Sequence, residues 1–536
     1  MLFRSVAFIS KSGLASLKQT LLELENRGIP GKILTTDYLT FTEPGALRSL
    51  SKYRNIEVKL FRCDKNIKGF HTKGYLFFKE KVISITIGSS NLTGNALAVN
   101  KEWNTCFSVE DDATLYKSVI EDFETLWNSS NAFPITEEIL DEYTQIYIEQ
   151  KRIARELQQQ KIALEKDAVI RDSKKISFDQ ILLEPNSMQL EFVQKLNEIR
   201  AMGEHRALLI SATGTGKTYA AAFALREINP KRALFLVHRE QILRKAIESF
   251  KNVFGDTKTF GLYSGTSHEI DRDFIFATMQ TMATHFKDFA KQEFQVIVVD
   301  EAHRVGAESY QNMMTYFNPD LWIGMTASPD RTDKFDVYSA FDHNIAHEIR
   351  LQEAMRLNLL CPFHYYGITD IFVDGEEKDK RDFARLVCDE RVDFIINKAE
   401  YFDHSGNRVK GLAFCSTLEE SKELSKKFNE RGYKTIALSG ADSQDVREQA
   451  VKQLEDDNRD NGLDYIFTVD IFNEGIDIPQ VNQILMLRPT ESPIIFVQQL
   501  GRGLRKADNK EFVMILDFIG NYSNNYMIPI ALSGDR

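Results

Sequence analysis

Three short stretches of this 536-residue chain carry groups spaced for ligand binding or reaction. In the first, Ala212-Thr213-Gly214-Thr215-Gly216-Lys217-Thr218 joins an apolar run, ALLIS, to a helical pattern, YAAAFAL. Gly214 and Gly216 let backbone N–H groups curl around phosphate oxygens, and a helix starting there adds partial positive charge. Lys217 is placed to reach the β- and γ-phosphates, and the Thr218 hydroxyl to hold Mg2+. The strict G-x-x-x-x-G-K-[ST] pattern fails at its first position, which is Ser211. In the second stretch, Asp300-Glu301-Ala302-His303 follows the strand-like run Gln295 to Val299, at the end where open α/β sheets bind ligands. Asp300 would complete the Mg2+ shell through water, and Glu301 is positioned to polarise an attacking water. In the third, His71-Thr72-Lys73 precedes the β-like run YLFF, so both basic side chains share one face of an extended strand. Such an H-x-K is weak alone. Followed by the G-S-S-N-L-T run that contains Asn91, and then by Glu102, it is far more specific.

The elements that must position these residues follow from patterning. From Phe178 onward, apolar strands alternate with amphipathic helices: RALLISAT, RALFLVH, QVIVVDEAH, LWIGMTAS, GLAFCST, DYIFTVD and EFVMILDF are the strands. That alternation predicts parallel sheets covered by helices, and its length predicts two α/β units rather than one core. The N-terminal part mixes a helical stretch, SLKQTLLELENRG, with β-rich runs. Between them EQKRIARELQQQKIALEKD, without Gly or Pro, predicts a long connector helix, with a dimerisation arm as the second choice. The expected domains are 1–140, a connector at 141–177, a third at 178–350 and a fourth at 351–536. The charged stretch Asp374 to Arg381 is expected to be an insertion or loop.

Composition narrows the class. Hydrophobic residues are 43% and charged residues 27%, which excludes a disordered chain, a collagen-like repeat and a small disulfide scaffold. No apolar run is long enough to span a bilayer, and the N-terminus lacks a signal-peptide pattern. Five scattered cysteines without a C-x-x-C pair fit a reducing, cytoplasmic location. The net charge of −11 excludes binding of nucleic acid through bulk charge. Residues 1–81 nevertheless carry 15 Lys plus Arg against 7 Asp plus Glu, and residues 82–142 carry 2 against 11. That predicts either a face for a polyanion beside an acidic one, or alternating solvated surfaces.

From about Phe178 the chain resembles a superfamily 2 DEAD/DEAH-box helicase, near the branch that supplies motor subunits to restriction systems. The resemblance rests on the phosphate loop, Asp300-Glu301-Ala302-His303, FLVHREQI, ATMQT, Thr326-Ala327-Ser328, GLAFCST, FTVDIFNEGIDIP and QQLGRGLR, in that order. It implies two RecA-like doubly wound domains with ATP and Mg2+ bound between them. Gln189 would read adenine. Thr213, Gly214, Thr215, Gly216, Lys217, Thr218, Asp300, Gly475 and Asp477 would bind the nucleotide, with Thr218 and Asp300 at the metal. Arg502 and Arg505 would be arginine fingers supplied by the second domain. Arg239, Thr278, Thr281 and Thr417 would touch a nucleic-acid backbone.

The N-terminal set resembles the phospholipase D superfamily, more narrowly its nuclease branch. The resemblance implies an α/β phosphodiesterase without a metal cofactor. His71 would be the nucleophile, Glu102 its orienting carboxylate, and Lys73 and Asn91 the phosphoryl-oxygen ligands. Phe78 stands where the wider family has an aspartate. Only one H-x-K in the chain is followed by such a G-S-S-N run, so the leaving-group acid is expected from a second copy, across a homodimer formed by this domain. The expected function is an ATP-dependent DNA translocase joined to a nuclease, in restriction or anti-phage defence, with accessory defence proteins as possible partners and no membrane partner. The alternative is a remodeller of DNA or RNA whose N-terminal domain only binds and dimerises. A membrane-linked lipase is disfavoured by the lack of an apolar anchor. Relatives of this kind often continue past the point where this chain stops, which leaves a C-terminal specificity region open.

Overall fold

Fully buried strands of a parallel sheet read as unbroken apolar runs, because helices cover both faces. VIVVD and ALFLV are of that kind, and both lie at the centre of a sheet. The computed structural model describes residues 2–63, 73–79, 82–98, 102–110, 113–172, 183–327, 335–370, 386–458, 460–469, 478–488 and 503–519. His71, Gly475, Asp477 and Arg502 lie outside them, as does the stretch Asp374 to Arg381. The chain divides into two units, Met1–Ser177 and Phe178–Arg536.

The first unit is a mixed seven-stranded sheet with the order β6-β5-β4-β1-β2-β3-β7. Its strands are β1 (Leu2–Val6), β2 (Gly31–Thr36), β3 (Ile56–Phe61), β4 (Gly74–Lys79), β5 (Val82–Gly88), β6 (Asn104–Glu110) and β7 (Ala132–Pro134). β1, β2 and β3 are parallel, whereas β4, β5 and β6 run antiparallel to their neighbours. Helix Lys11–Asn26 is capped by Ser10, whose Oγ accepts from Gly13 N at 3.1 Å. Helix Thr114–Trp127 lays Tyr116, Val119 and Ile120 on Leu76, Ile83 and Ile85. The 36-residue helix Glu137–Asp172 starts inside this unit: Leu140 and Tyr143 are buried, and the Tyr143 hydroxyl donates to Thr42 O at 2.6 Å.

The oppositely charged N-terminal segments partly neutralise each other. Arg4 meets Glu124 at 2.7 Å, Arg48 meets Asp141 at 2.8 Å, and Arg62 meets Glu142 at 3.0 Å. The sequence offered two readings of that charge pattern, and cross-pairing is a third.

The second unit holds two parallel sheets. One has the order β10-β11-β9-β12-β13-β8-β14, from β8 (Arg206–Ser211), β9 (Ala233–Val237), β10 (Phe260–Tyr263), β11 (Phe274–Thr278), β12 (Val296–Asp300), β13 (Leu321–Thr326) and β14 (Ile345–Ile349). The other has the order β15-β20-β19-β16-β18-β17, from β15 (Phe363–Thr369), β16 (Gly411–Phe414), β17 (Thr435–Leu438), β18 (Tyr465–Thr468), β19 (Gln483–Met486) and β20 (Val513–Ile519). In the first lobe, Ala220 to Leu225 pack on one face, while Met279, Met282, Tyr310 and Met313 pack on the other. Such double cover is the α/β architecture the alternating pattern implies.

Candidate functional site

The phosphate loop leaves β8 at Ser211 and enters helix Lys217–Ile228. Gly214 and Gly216 have φ of +91° and +96°, a region that favours glycine. Ser211 and Thr215 are buried, with their hydroxyl oxygens 2.5 Å apart. Thr215 Oγ1 donates to Ala212 O at 2.7 Å, so Ser211 is the donor between the two hydroxyls. Lys217 Nζ donates to Ser211 O at 3.0 Å. Gln189 is buried and forms a capping box with Asn186 at the start of helix Ser187–Ala201. Its Nε2 also donates to Gly216 O at 3.2 Å, tying that helix to the loop.

Register brings the carboxylates alongside. β12 and β13 pair Asp300 with Met325, and β13 and β8 pair Thr326 with Ile210, so three strands end together at the loop. Burial and the neighbouring Glu301 hold the Asp300 carboxyl above its usual range, against the pull of Lys217. For Glu301, burial acts upward, but contact with His303 and the Lys217 charge outweigh it and keep the group ionised. Burial lowers the Lys217 pKa, Glu301 and Asp300 oppose this, and the Arg505 charge adds to the lowering. Arg505, exposed on the second lobe, is therefore within electrostatic reach of the loop.

His303 has a positioning contact that was not expected from its place in the sequence. Its Nδ1 lies 3.2 Å from Thr326 Oγ1 and 3.3 Å from Glu301 Oε2, linking the acidic turn to the end of β13. Its signal was present in the D-E-A-H spacing. The Thr326 partner lies 23 residues away in sequence and was not visible.

The donor set fits a nucleoside triphosphate with Mg2+. The loop is wound by two left-handed glycines, the adjoining helix presents its N-terminus, and a Cβ at Gly216 would come 2.8 Å from Gln189 Nε2. Lys217, Thr218 and Asp300 are the groups that could hold the phosphates and the metal. Thr213 and Thr218 are half-buried at its rim.

A second feature of this unit is a cavity of about 680 Å³ that gathers Arg239, Thr278 and Thr281. Arg447 of the second lobe also lines it, and Gln241 Nε2 donates to Gln444 Oε1 across the lobes at 2.6 Å. Thr278 caps helix Met279–His285 through its hydroxyl, which also donates to Thr281 Oγ1 at 2.9 Å. Thr417 is not in this lining. It is exposed and caps helix Leu418–Glu430, accepting from Glu420 N at 3.1 Å.

In the first unit, strand register gathers the remaining predicted residues. β4 and β5 pair Gly74 with Ile87, and β5 and β6 pair Gly88 with Asn104. Lys73, Ser89 to Asn91 and Glu102 consequently sit at one end of three adjacent strands. Lys73 is 6% exposed, with its ammonium 5.6 Å from the centre of the Phe8 ring. Burial lowers its pKa and Glu102 counters this. Asn91 Oδ1 accepts from Phe8 N at 3.2 Å, which leaves the carboxamide NH2 as its donor end. Ser89 Oγ donates to Glu102 Oε2, another contact the sequence did not announce. Tyr75 and Asn104 hold Ser90 through its carbonyl and hydroxyl, at 2.8 and 2.6 Å.

Residues 182–331 match the family described as type III restriction enzyme, res subunit, and residues 391–507 match the helicase conserved C-terminal domain. Residues 7–127 match the family described as cardiolipin synthase, PLD-like domain. IRC3 of Saccharomyces cerevisiae, whose name describes an ATP-dependent helicase, is 25% identical over 64% of this chain and 52% of its own. The type I restriction enzyme EcoAI endonuclease subunit of Escherichia coli is 25% identical over 62% of this chain and 46% of its own. The chain thus spans about half the length of these relatives. An HsdR-type fragment of a type I restriction enzyme from Vibrio vulnificus shares the fold at a TM-score of 0.52 and 21% identity, over 65% of this chain and 66% of that one. Among the described residues no helix is long and apolar enough to cross a membrane. The chain is thus similar to phospholipase D-like domains over residues 7–127 and to helicases of the restriction-subunit type over residues 182–331 and 391–507.

Proposed function

We propose that the chain is an ATP-driven DNA translocase joined to a metal-independent phosphodiesterase, acting in restriction or anti-phage defence. Lys217 and the loop N–H groups would hold the phosphates, Thr218 and Asp300 would hold Mg2+, and Glu301 would orient the attacking water. Mg2+, when bound, neutralises charge on the phosphate oxygens. Arg505, with Arg502, brings positive charge from the second lobe, so turnover requires that lobe. The cavity at Arg239, Thr278 and Thr281 takes the DNA backbone through contacts that tolerate sequence and weaken with salt. DNA is preferred to RNA because the relatives named above include restriction enzyme subunits.

In the first unit His71 attacks phosphorus, forming a P–N bond as the P–O bond to the leaving strand breaks. His71 of a second copy gives that oxygen its proton, then takes one from a water whose oxygen bonds to phosphorus as the P–N bond breaks, freeing the first His71 and the product. Lys73 and the Asn91 NH2 stabilise the charge that builds on the phosphoryl oxygens. The observation that carries this reading is the meeting of Lys73, Asn91 and Glu102 at one sheet end, in a chain whose other unit is a helicase core. The test is His71→Ala. DNA cutting should disappear while DNA-stimulated ATP hydrolysis survives. Cutting that persists would overturn the role of His71, and a parent that never cuts would leave the chain as a remodeller whose first domain only binds.

A further inference from the structure

Trp103 is the most exposed of the large apolar side chains among the described residues, 88% open to solvent. Its backbone, in contrast, is fixed. The Trp103 N–H donates to Ser89 Oγ at 3.1 Å, and its C=O accepts from Ser89 N at 3.1 Å. The approach is close enough that a Cβ at Gly88 would lie 2.3 Å from Trp103 O, so only glycine fits there. Ser89 Oγ also donates to the Glu102 carboxylate. One serine therefore anchors both the carboxylate of the phosphodiester site and the residue that carries the indole.

An indole left in water forgoes the burial that normally stabilises it. Its ring surface stays available for a partner, and the pinned backbone means that little order is lost when one binds. Nucleobases all present a π-face, and stacking on an aromatic side chain tolerates any sequence. We propose that Trp103 is the specificity-determining residue of the phosphodiesterase: it stacks on an unpaired base next to the scissile phosphate, so the site selects single-stranded DNA. The inference rests on the nuclease reading above and adds a substrate class to it. A paired base lies within its own stack and must be extruded at a cost of a few kcal/mol before it can reach such a platform. Intact duplex is disfavoured for that reason, and a strand freed by the helicase core is the matching substrate.

The chain has three tryptophans, and the other two, Trp127 and Trp322, are 4% and 3% exposed. Of the three, only Trp103 is open to direct contact with an added oligonucleotide, so quenching by a stacked base is assigned to it. The full chain carrying His71→Ala is titrated with a short oligothymidylate and with a blunt duplex, beside the same chain carrying Trp103→Phe as well. Quenching by the oligothymidylate, weak quenching by the duplex, and loss of the signal with Trp103→Phe are expected. In the cutting-competent chain, Trp103→Ala should raise the KM for single-stranded DNA by roughly five- to a hundredfold, the span that base–aromatic stacking is worth. kcat should change little, and Trp103→Phe should restore the KM. Three results overturn the proposal: bound oligothymidylate that leaves the emission unmoved, a KM unchanged by Trp103→Ala, or an emission shift that grows with protein concentration alone, which would mean a second copy covers the indole. If the parent does not cut, the nuclease reading fails, while the fluorescence titration still decides whether Trp103 stacks.

Discussion

Ser211 stands where the strict phosphate-loop pattern has glycine, and its buried hydroxyl supplies a bond that glycine could not. It donates to Thr215, which donates in turn to Ala212 O, so the loop is braced by side chains as well as by backbone. Ser211→Ala should lower the urea-unfolding free energy by about 1 kcal/mol, since Thr215 keeps its bond to Ala212 O. Gly216→Ala should do more. The position has φ +96°, and the new Cβ would meet Gln189 Nε2 at 2.8 Å, so a loss of roughly 1–2 kcal/mol is expected together with a raised KM for ATP hydrolysis. At this scale the sequence was most legible where chemistry sits in contiguous residues. Lys217 and Thr218 were readable because a loop between strand and helix is a local pattern. The contacts of His303 with Thr326, and of Ser89 with Glu102, join distant positions that only strand register brings together.

Among the elements, the parallel strands were read from their apolar runs, and QVIVVDEAH became β12 with Asp300 at its end. Cross-pairing of the two charged N-terminal segments was not readable, because Arg4 and Glu124 meet only after β1 and helix Thr114–Trp127 pack. The junction of β15 with β20 carries a buried carboxylate that makes a pH prediction. Burial pushes Asp517 up to about 6, and the Tyr365 hydroxyl, donating at 2.7 Å, only partly offsets this. The folded pKa lies above the unfolded one, so the folded chain holds this proton more tightly. This contribution is greatest below about pH 4 and is lost as pH rises through 6, in total on the order of 2–3 kcal/mol. Asp517→Asn keeps an acceptor for Tyr365 without the charge. Its unfolding free energy should exceed the parent's at pH 7, and the difference should shrink toward pH 4; a constant difference across that range would contradict the assignment. Gly13 makes a second prediction at this scale. A Cβ there would fall 2.0 Å from Leu92 O, inside the close approach of helix Lys11–Asn26 to the turn that carries Asn91. Gly13→Ala should destabilise the first unit by roughly 1–3 kcal/mol, seen as earlier melting of that unit, while ATP hydrolysis by the second is retained.

At the scale of the whole molecule, the proposed function places two phosphate chemistries in two units of one chain. Within the second unit, the Arg505 charge reaches Lys217 from the other lobe. Arg505→Ala should therefore lower kcat for ATP hydrolysis by roughly 10³-fold or more, the scale of an arginine finger, with little change in stability because the side chain is exposed. An equal fall in ATP affinity would argue instead for a role in the ground state. The central claim, that the first unit cuts through a histidine without metal, is tested most directly by a single-turnover reaction. Labelled DNA is mixed with the full chain and ATP, and the reaction is stopped rapidly with detergent at alkaline pH. A protein–DNA adduct that maps to the peptide containing His71 and vanishes with His71→Ala is expected. Label that never enters the protein, with cut product formed only when a divalent metal reaches the first unit, would contradict it.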